Sequence, residues 1–171
     1  PKFCPTATWN PNAITIANSI SIGSKPYDVF IDINNTIYVP VASFNSIQIW
    51  LEGNITFSRT TSVGSTSANT LFVASNGDIY VYNNATSPHI DKYTQNQTNG
   101  TVAMYVAGTC YGIFIDIQDN LYCSMESPQQ VVKKSLKTDA NDSIIVAGNG
   151  NTGSGSYMLN GSRGIVVDID L

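Results

Sequence analysis

Charge is what this 171-residue chain has least of. Asp, Glu, Lys and Arg together make up 12% of it, roughly half of the ~25% usual in globular domains. The charge present leans acidic, with 8 basic against 12 acidic residues and a net of -4. That balance disfavours nucleic acid, whose phosphates are held by clustered Lys and Arg that release counterions. The only basic cluster, Lys133, Lys134 and Lys137, reads as a solvated strand end. No apolar run is long enough to cross a bilayer, so no membrane insertion is expected. Histidine occurs once, at His89, and cysteine three times, at Cys4, Cys110 and Cys123, with no C-x-x-C pair. A Cys/His zinc cluster cannot be read from that set, and neither a metal nor a cofactor is expected. Nowhere do apolar residues recur at i, i+3, i+4, i+7 over a convincing window, so an all-β chain is expected. It opens at Pro1 with neither Met nor a secretory apolar stretch, and reads as a processed or excised piece.

Polarity comes instead from Asn, Ser, Thr and Gly, which favour turns and sheet surfaces over helix interiors. Asn-x-Ser/Thr acceptors stand at Asn34, Asn54, Asn84, Asn96, Asn99, Asn141 and Asn160. Most fall in segments that read as turns, where a glycan fits. Asn54, Asn84, Asn99, Asn141 and Asn160 are the candidate sites; Asn96 and Asn99 are too close to be used together. The acceptors point to an extracellular or cell-surface glycoprotein.

Internal repetition is the strongest signal. Tyr27 to Val39 reads YDVFIDINNTIYV, Asn69 to Val81 reads NTLFVASNGDIYV, and Tyr111 to Cys123 reads YGIFIDIQDNLYC. Phe30, Phe72 and Phe114 correspond, as do Tyr38, Tyr80 and Tyr122, each 42 residues apart. A further copy opens at Arg163 as RGIVVDIDL. Each unit shows a short apolar strand, a turn rich in Asn, Asp or Gly that tolerates positive φ, and a second strand ending in Tyr. A third strand alternates, as in Ser46 to Trp50. A fourth ends in a small-residue stop: Val63-Gly64, Ala107-Gly108 and Ala147-Gly148. Four strands every 42 or so residues is the period of a β-propeller blade. A β-sandwich is the competing fold, but sandwiches rarely repeat so regularly. The expected division of this single segment, 1–171, is 1–22 as outer strands of a preceding blade (a hairpin over 7–17), blades at 23–64, 65–108 and 109–148, and 149–171 as a loop and the next first strand. That makes a partial ring.

The units resemble NHL repeats, through Pro26, Val29, Ile31, Asp32, Ile37-Tyr38-Val39 and Asn45-Ser46-Ile47-Gln48, and through Gly112 to Asp116 and Gly164 to Asp168. The resemblance implies a propeller of about six blades, more than this segment supplies, so the remaining blades of the same polypeptide are expected partners. The Arg of the NHL pattern between second and third strands is missing in every unit, which marks those loops as the variable face.

Loops from a fourth strand into the next first strand reach the axial face of a propeller. The repeat register puts Tyr27, Asn69, Tyr111 and Arg163 at one rim position, with Asp28, Thr70, Gly112 and Gly164 beside them. An Arg and two Tyr there suit a peptide, a glycan or an acidic group; ordinary packing at blade junctions is the competing account. Phe44, between second and third strands, is a candidate aromatic anchor or a cover for a blade edge. Asp32, Asp116 and Asp168, with Ser75 in the remaining unit, read as hairpin caps rather than a calcium ring. Cys110 and Cys123 either form a bridge across one blade, worth about 3 kcal/mol, or stand as free core thiols. Cys4 is left without a partner. No catalytic set is legible, and the amidating lyases of the NHL class need several metal-binding histidines that are not here. The leading expectation is a non-catalytic binding or scaffold module that recognises protein or glycan through its axial loops. The alternatives are a metal-dependent hydrolase or lyase whose catalytic residues lie in missing blades, and an intracellular scaffold or RNA-binding domain.

Overall fold

The computed structural model describes residues 6, 8, 11–23, 26–64, 69–95, 97, 99–138 and 142–168. Among these residues twelve strands form three four-stranded antiparallel sheets, each in simple chain order. The first holds β1 (Phe30–Ile31), β2 (Ile37–Val41), β3 (Ser46–Trp50) and β4 (Arg59–Ser62). The second holds β5 (Leu71–Val73), β6 (Ile79–Asn83), β7 (His89–Tyr93) and β8 (Thr101–Tyr105). The third holds β9 (Cys110–Ile115), β10 (Asn120–Met125), β11 (Gln129–Ser135) and β12 (Ile144–Gly150). These are consecutive blades of a β-propeller, and the all-β expectation holds. No described helix is long and apolar enough to cross a membrane.

The repeated aromatics explain why the blades share one register. Phe30 pairs with Tyr38, Phe72 with Tyr80 and Phe114 with Tyr122 across the first two strands of each sheet. The turn between those strands needs one residue with positive φ, and it falls at Asn35 (56°), Gly77 (84°) and Asp119 (62°), again 42 residues apart. Asn, Gly and Asp are the residues that accept that conformation at low cost. Two backbone bonds close each turn identically, from the N–H of Asp32, Ala74 and Asp116 to the carbonyl four residues on, and from the positive-φ residue back to the carbonyl of Asp32, Ala74 or Asp116.

Blades stack through their first strands and their buried faces. The rings of Phe30 and Phe72 lie 5.1 Å apart and those of Phe72 and Phe114 5.4 Å apart, edge-on or tilted, as aromatic quadrupoles prefer. Between the first two blades Tyr38, Ile47, Ile49 and Val63 pack against Leu71, Val73, Ile79, Val81 and Tyr93. Between the second and third, Tyr82, Ile90 and Met104 meet Cys110, Leu121, Cys123 and Met125, all fully buried. Removing a large side chain from such a junction costs about 3–5 kcal/mol. Tyr38, Tyr80, Tyr122 and Trp50 are core wedges, each at most 8% exposed.

Five local expectations are corrected. Residues 11–18 form no strand, and Ser19–Ile22 is a single helical turn capped by Asn18. Of the hairpin expected over 7–17, residues 7, 9 and 10 lie outside the described set. Ala147-Gly148 is no strand end: it lies within β12, where the pairing with β11 shifts and Gly148 takes φ 78°. The counterpart of Asp32 and Asp116 in the second blade is Ala74, not Ser75, because it makes the same two turn bonds. Lys134, read as solvated, is buried. Arg163 to Asp168 lies beside the third blade without being a strand; Ser124 Oγ donates to the Arg163 carbonyl (2.6 Å), but no described strand pairs with it.

Candidate functional site

Antiparallel order brings the loops entering each first strand to the same end of a blade as the loops between second and third strands. The rim residues expected from the register therefore share an end with Phe44 and with Glu126. At the third blade this end carries a built cluster. A bulge between β9 and β10 pairs Gly112 with Ser124 and Cys110 with Met125, leaving Tyr111 as the extra residue. Bulges re-aim the unpaired side chain, and Tyr111 turns out to 36% exposure. The guanidinium of Arg163 stands over its ring, 4.4 Å from the centroid, and Arg163 Nη2 reaches Glu126 Oε2 at 3.0 Å. The backbone beneath is pinned: the Gly161 N–H donates to Gln129 Oε1 at 2.9 Å. A Cβ on Gly112 would run into the Arg163 carbonyl and Ser124 Oγ. Only glycine lets this chain approach so closely.

The remaining rim residues divide. Asp28 belongs to the blade junction: its Oδ2 accepts from Thr70 Oγ1 (2.9 Å) and the Leu71 N–H (3.0 Å), tying the first blade to the second. Tyr27 and Phe44, 60% and 55% exposed, make no such tie, and Phe44 ends a short 3-10 turn, Ala42–Phe44. Asn69 is partly buried. Glu126 was missed from the sequence. Its signal was available, since its loop shares the rim register, but one acidic residue in a diverged loop carries no pattern.

A large cavity lies at the opposite end of the strands. About 590 Å³ opens between the first two blades, lined by Phe30, Asp32, Tyr38, Arg59, Phe72 and Gln95 among others. A matching cleft of about 490 Å³ at the third blade is lined by Asp116, Tyr122, Lys133, Ile165 and Val166. Both hold a tyrosine–carboxylate pair: Tyr38 donates to Asp32 Oδ2 (3.2 Å) and Tyr122 to Asp116 Oδ2 (2.9 Å). Burial, then the Asp116 bond and charge, push the Tyr122 hydroxyl up to about 12. Burial and Asp32 raise Tyr38 likewise, against the pull of Arg59. For Asp116 burial works upward, but donors from Asn120, Tyr122 and the Gln118 N–H outweigh it and hold the carboxyl below its ordinary value. The hydroxyl and carboxyl of that pair are thus moved apart, away from neutral pH. In that pair the hydroxyl donates and the carboxylate accepts, so each orients the other.

Cys110 and Cys123 form a disulfide inside the third blade, both fully buried; Cys4 lies outside the described residues. Asn54, Asn84, Asn99 and Asn160 are exposed in loops, and Asn141 lies outside the described residues. His89 packs edge-on to Tyr105 and contacts Asp91 at 3.2 Å. Among the described residues no three His, Cys, Asp or Glu gather in a metal-binding group; Asp168 and Asp116 line one cleft, and Asp32 lines another.

No protein-family model matches the chain, and no curated protein does. Solved structures do. A streptogramin B lyase superposes with a TM-score of 0.52 at 16% identity, over 70% of this chain and 39% of that one. Virginiamycin B lyase from Staphylococcus aureus gives 0.50 at 13%, over 70% and 40%. The extracellular domain of BT4673 from B. thetaiotaomicron, assigned as a one-component system, gives 0.61 at 13%, over 89% and 20%. These neighbours are propeller-like, and at such identities they speak for the fold alone. The chain spans between a fifth and two fifths of their lengths.

Proposed function

We propose that this chain is a binding segment of an extracellular β-propeller, recognising a protein or glycan through its axial loops. The observation that carries the reading is the Tyr111–Arg163–Glu126 cluster, an aromatic face and a cation held outward by a bulge on the rim. Tyr27 and Phe44 extend an exposed aromatic surface at the same end. Aromatic and Arg side chains with little freedom left to lose make effective binding anchors. Because Glu126 already neutralises Arg163, a polar or carbohydrate face fits better than a strongly acidic group. The disulfide supports an oxidising compartment, as do the exposed glycosylation acceptors. The resemblance to NHL repeats belongs to the same reading.

Immobilised chain probed with arrayed oligosaccharides and extracellular proteins tests it. Binding that falls about tenfold or more in Tyr111→Ala and Phe44→Ser, with unchanged melting temperature, supports the rim. Binding unaffected by both variants, or absent throughout, rejects it. For location, secretion from eukaryotic cells followed by intact mass before and after N-glycosidase and reductant is decisive. Glycan loss with two protected cysteines agrees with the proposal; no glycan and three alkylated thiols would make the intracellular scaffold the better account. A second reading is a segment of a metal-dependent hydrolase or lyase whose catalytic residues lie in other blades; two of the fold neighbours are named as lyases. Saturable, stoichiometric divalent-metal binding by the full polypeptide would favour that reading.

A further inference from the structure

Among the described residues Lys134 is the one buried cation, at 7% exposure. It sits on β11 opposite Leu121 and crosses to the second blade, where Nζ donates to the Ala103 carbonyl of β8 at 2.7 Å. An ammonium carries three donors, and among the described residues one of them is used, on the Ala103 carbonyl. No described carboxylate lies within ion-pair distance of it. The neighbouring lysines are served: Lys92 Nζ is 2.7 Å from Asp78, and Lys137 Nζ is 3.6 Å from Asp119. Among the described residues these three ammonium groups thus share two carboxylates, and the buried one goes without. Burial of an ammonium with no counter-charge is unfavourable, and an anion at that place would offset it.

There is room for one. A cavity of about 290 Å³ between the second and third blades is lined by Tyr80, Lys92, Thr101, Ala103, Lys134 and Leu136. That is the low end of ligand-sized pockets, suited to a molecule of a few heavy atoms. Its walls put two ammonium groups and the hydroxyls of Tyr80, Thr101 and Thr138 beside the apolar Ala103 and Leu136. The geometry points to a second site, distinct from the rim, that binds a small monocarboxylate with a short apolar tail, its charge on Lys134 and its tail toward Ala103 and Leu136. One negative charge balances the Lys134 ammonium. A bulkier or polyvalent anion would exceed both the space and the charge. The site rests on the junction of two blades and does not depend on the rim reading.

Titrating the intact chain with propionate, against propionamide and against chloride at equal ionic strength, tests the inference. The expected result is a saturable rise in melting temperature with propionate alone. Lys134→Met, which keeps an apolar stem and removes the charge, should weaken the response by about tenfold or more. An equal response to propionamide, or one unchanged in Lys134→Met, overturns the site. Should that variant fail to fold, amide shifts in the wild-type NMR spectrum decide. Saturable propionate shifts confined to 80, 92, 101–103 and 134–136 support the site; shifts elsewhere, or none, refute it.

Discussion

The hairpins of the first and third blades differ in chemistry from that of the second, yet all three close the same backbone turn. In the first, Asp32 Oδ1 accepts from the N–H groups of Asn34 (2.9 Å) and Thr36 (2.8 Å), and Tyr38 donates to its other oxygen. The third repeats this with Asp116, Gln118, Asn120 and Tyr122. The second has Ala74 at that place. Its carboxylate has moved four residues on to Asp78, bonded to Asn76 and paired with Lys92, which stands 6.0 Å from the centre of the Tyr80 ring. Backbone shape is thus set by the positive-φ residue and the flanking strand pairs, while the side chains that satisfy it are interchangeable. The exchange has a consequence: it sets the Asp78–Lys92 pair beside the junction that Lys134 of the third blade enters, and there the candidate anion cavity lies.

The comparison can be broken most forcefully at the third blade, which alone carries a disulfide among the described residues. Replacing Cys110 and Cys123 together by Ala should cost about 3 kcal/mol, since the bridge closes a separation of 13 residues and so restricts the unfolded chain. Urea denaturation of the variant, and of reduced wild type, checks this. Gly112→Ala should cost about 1–3 kcal/mol, because the new methyl meets the Arg163 backbone. Gly164→Ala, with open space around it, should stay within about 0.5 kcal/mol. Equal effects of the two glycine variants would show that Arg163 does not rest on the third blade in solution.

Asp116→Ala should cost about 1–3 kcal/mol, leaving the Tyr122 hydroxyl and two N–H groups without their acceptor. The same network sets a pH dependence. With the folded Asp116 held below its ordinary value, its stabilisation is complete above about pH 3.9 and is lost as pH falls through the folded value. Tyr122, pushed up to about 12, contributes fully below about pH 10 and loses that contribution as pH rises toward 12. Denaturation midpoints of Asp116→Ala across pH should be flatter than wild type at both ends. The smallest effect is expected from moving the carboxylate back: Ala74→Asp with Asp78→Asn should change stability by about 0.5 kcal/mol or less. A large loss would mean the Asp78–Lys92 pair does more than close the turn.

Much of this was legible in the sequence. Phe30, Phe72 and Phe114 with their tyrosines announced the blades, because residues that pack against identical neighbours recur at the blade period. Asn35, Gly77 and Asp119 marked the turns for a local reason, their tolerance of positive φ. That the expected rim positions share one end of the blades followed from the register, and so did the proximity of Cys110 and Cys123. The fate of each rim residue did not follow. Asp28 bonds Thr70 and Arg163 meets Glu126, 37 residues away, through contacts between blades that leave no periodic trace. Lys134 shows the limit most plainly. In the sequence it is one of three lysines in a polar stretch, indistinguishable from Lys133 beside it. Alternation along β11 sends Lys133 over the Tyr122 ring and Lys134 into the junction with the second blade. Local chemistry determined the repeats, strands and turns. Which charges are buried, and which pairs meet, was decided only when one sheet packed against the next, because burial belongs to the interface and not to the residue.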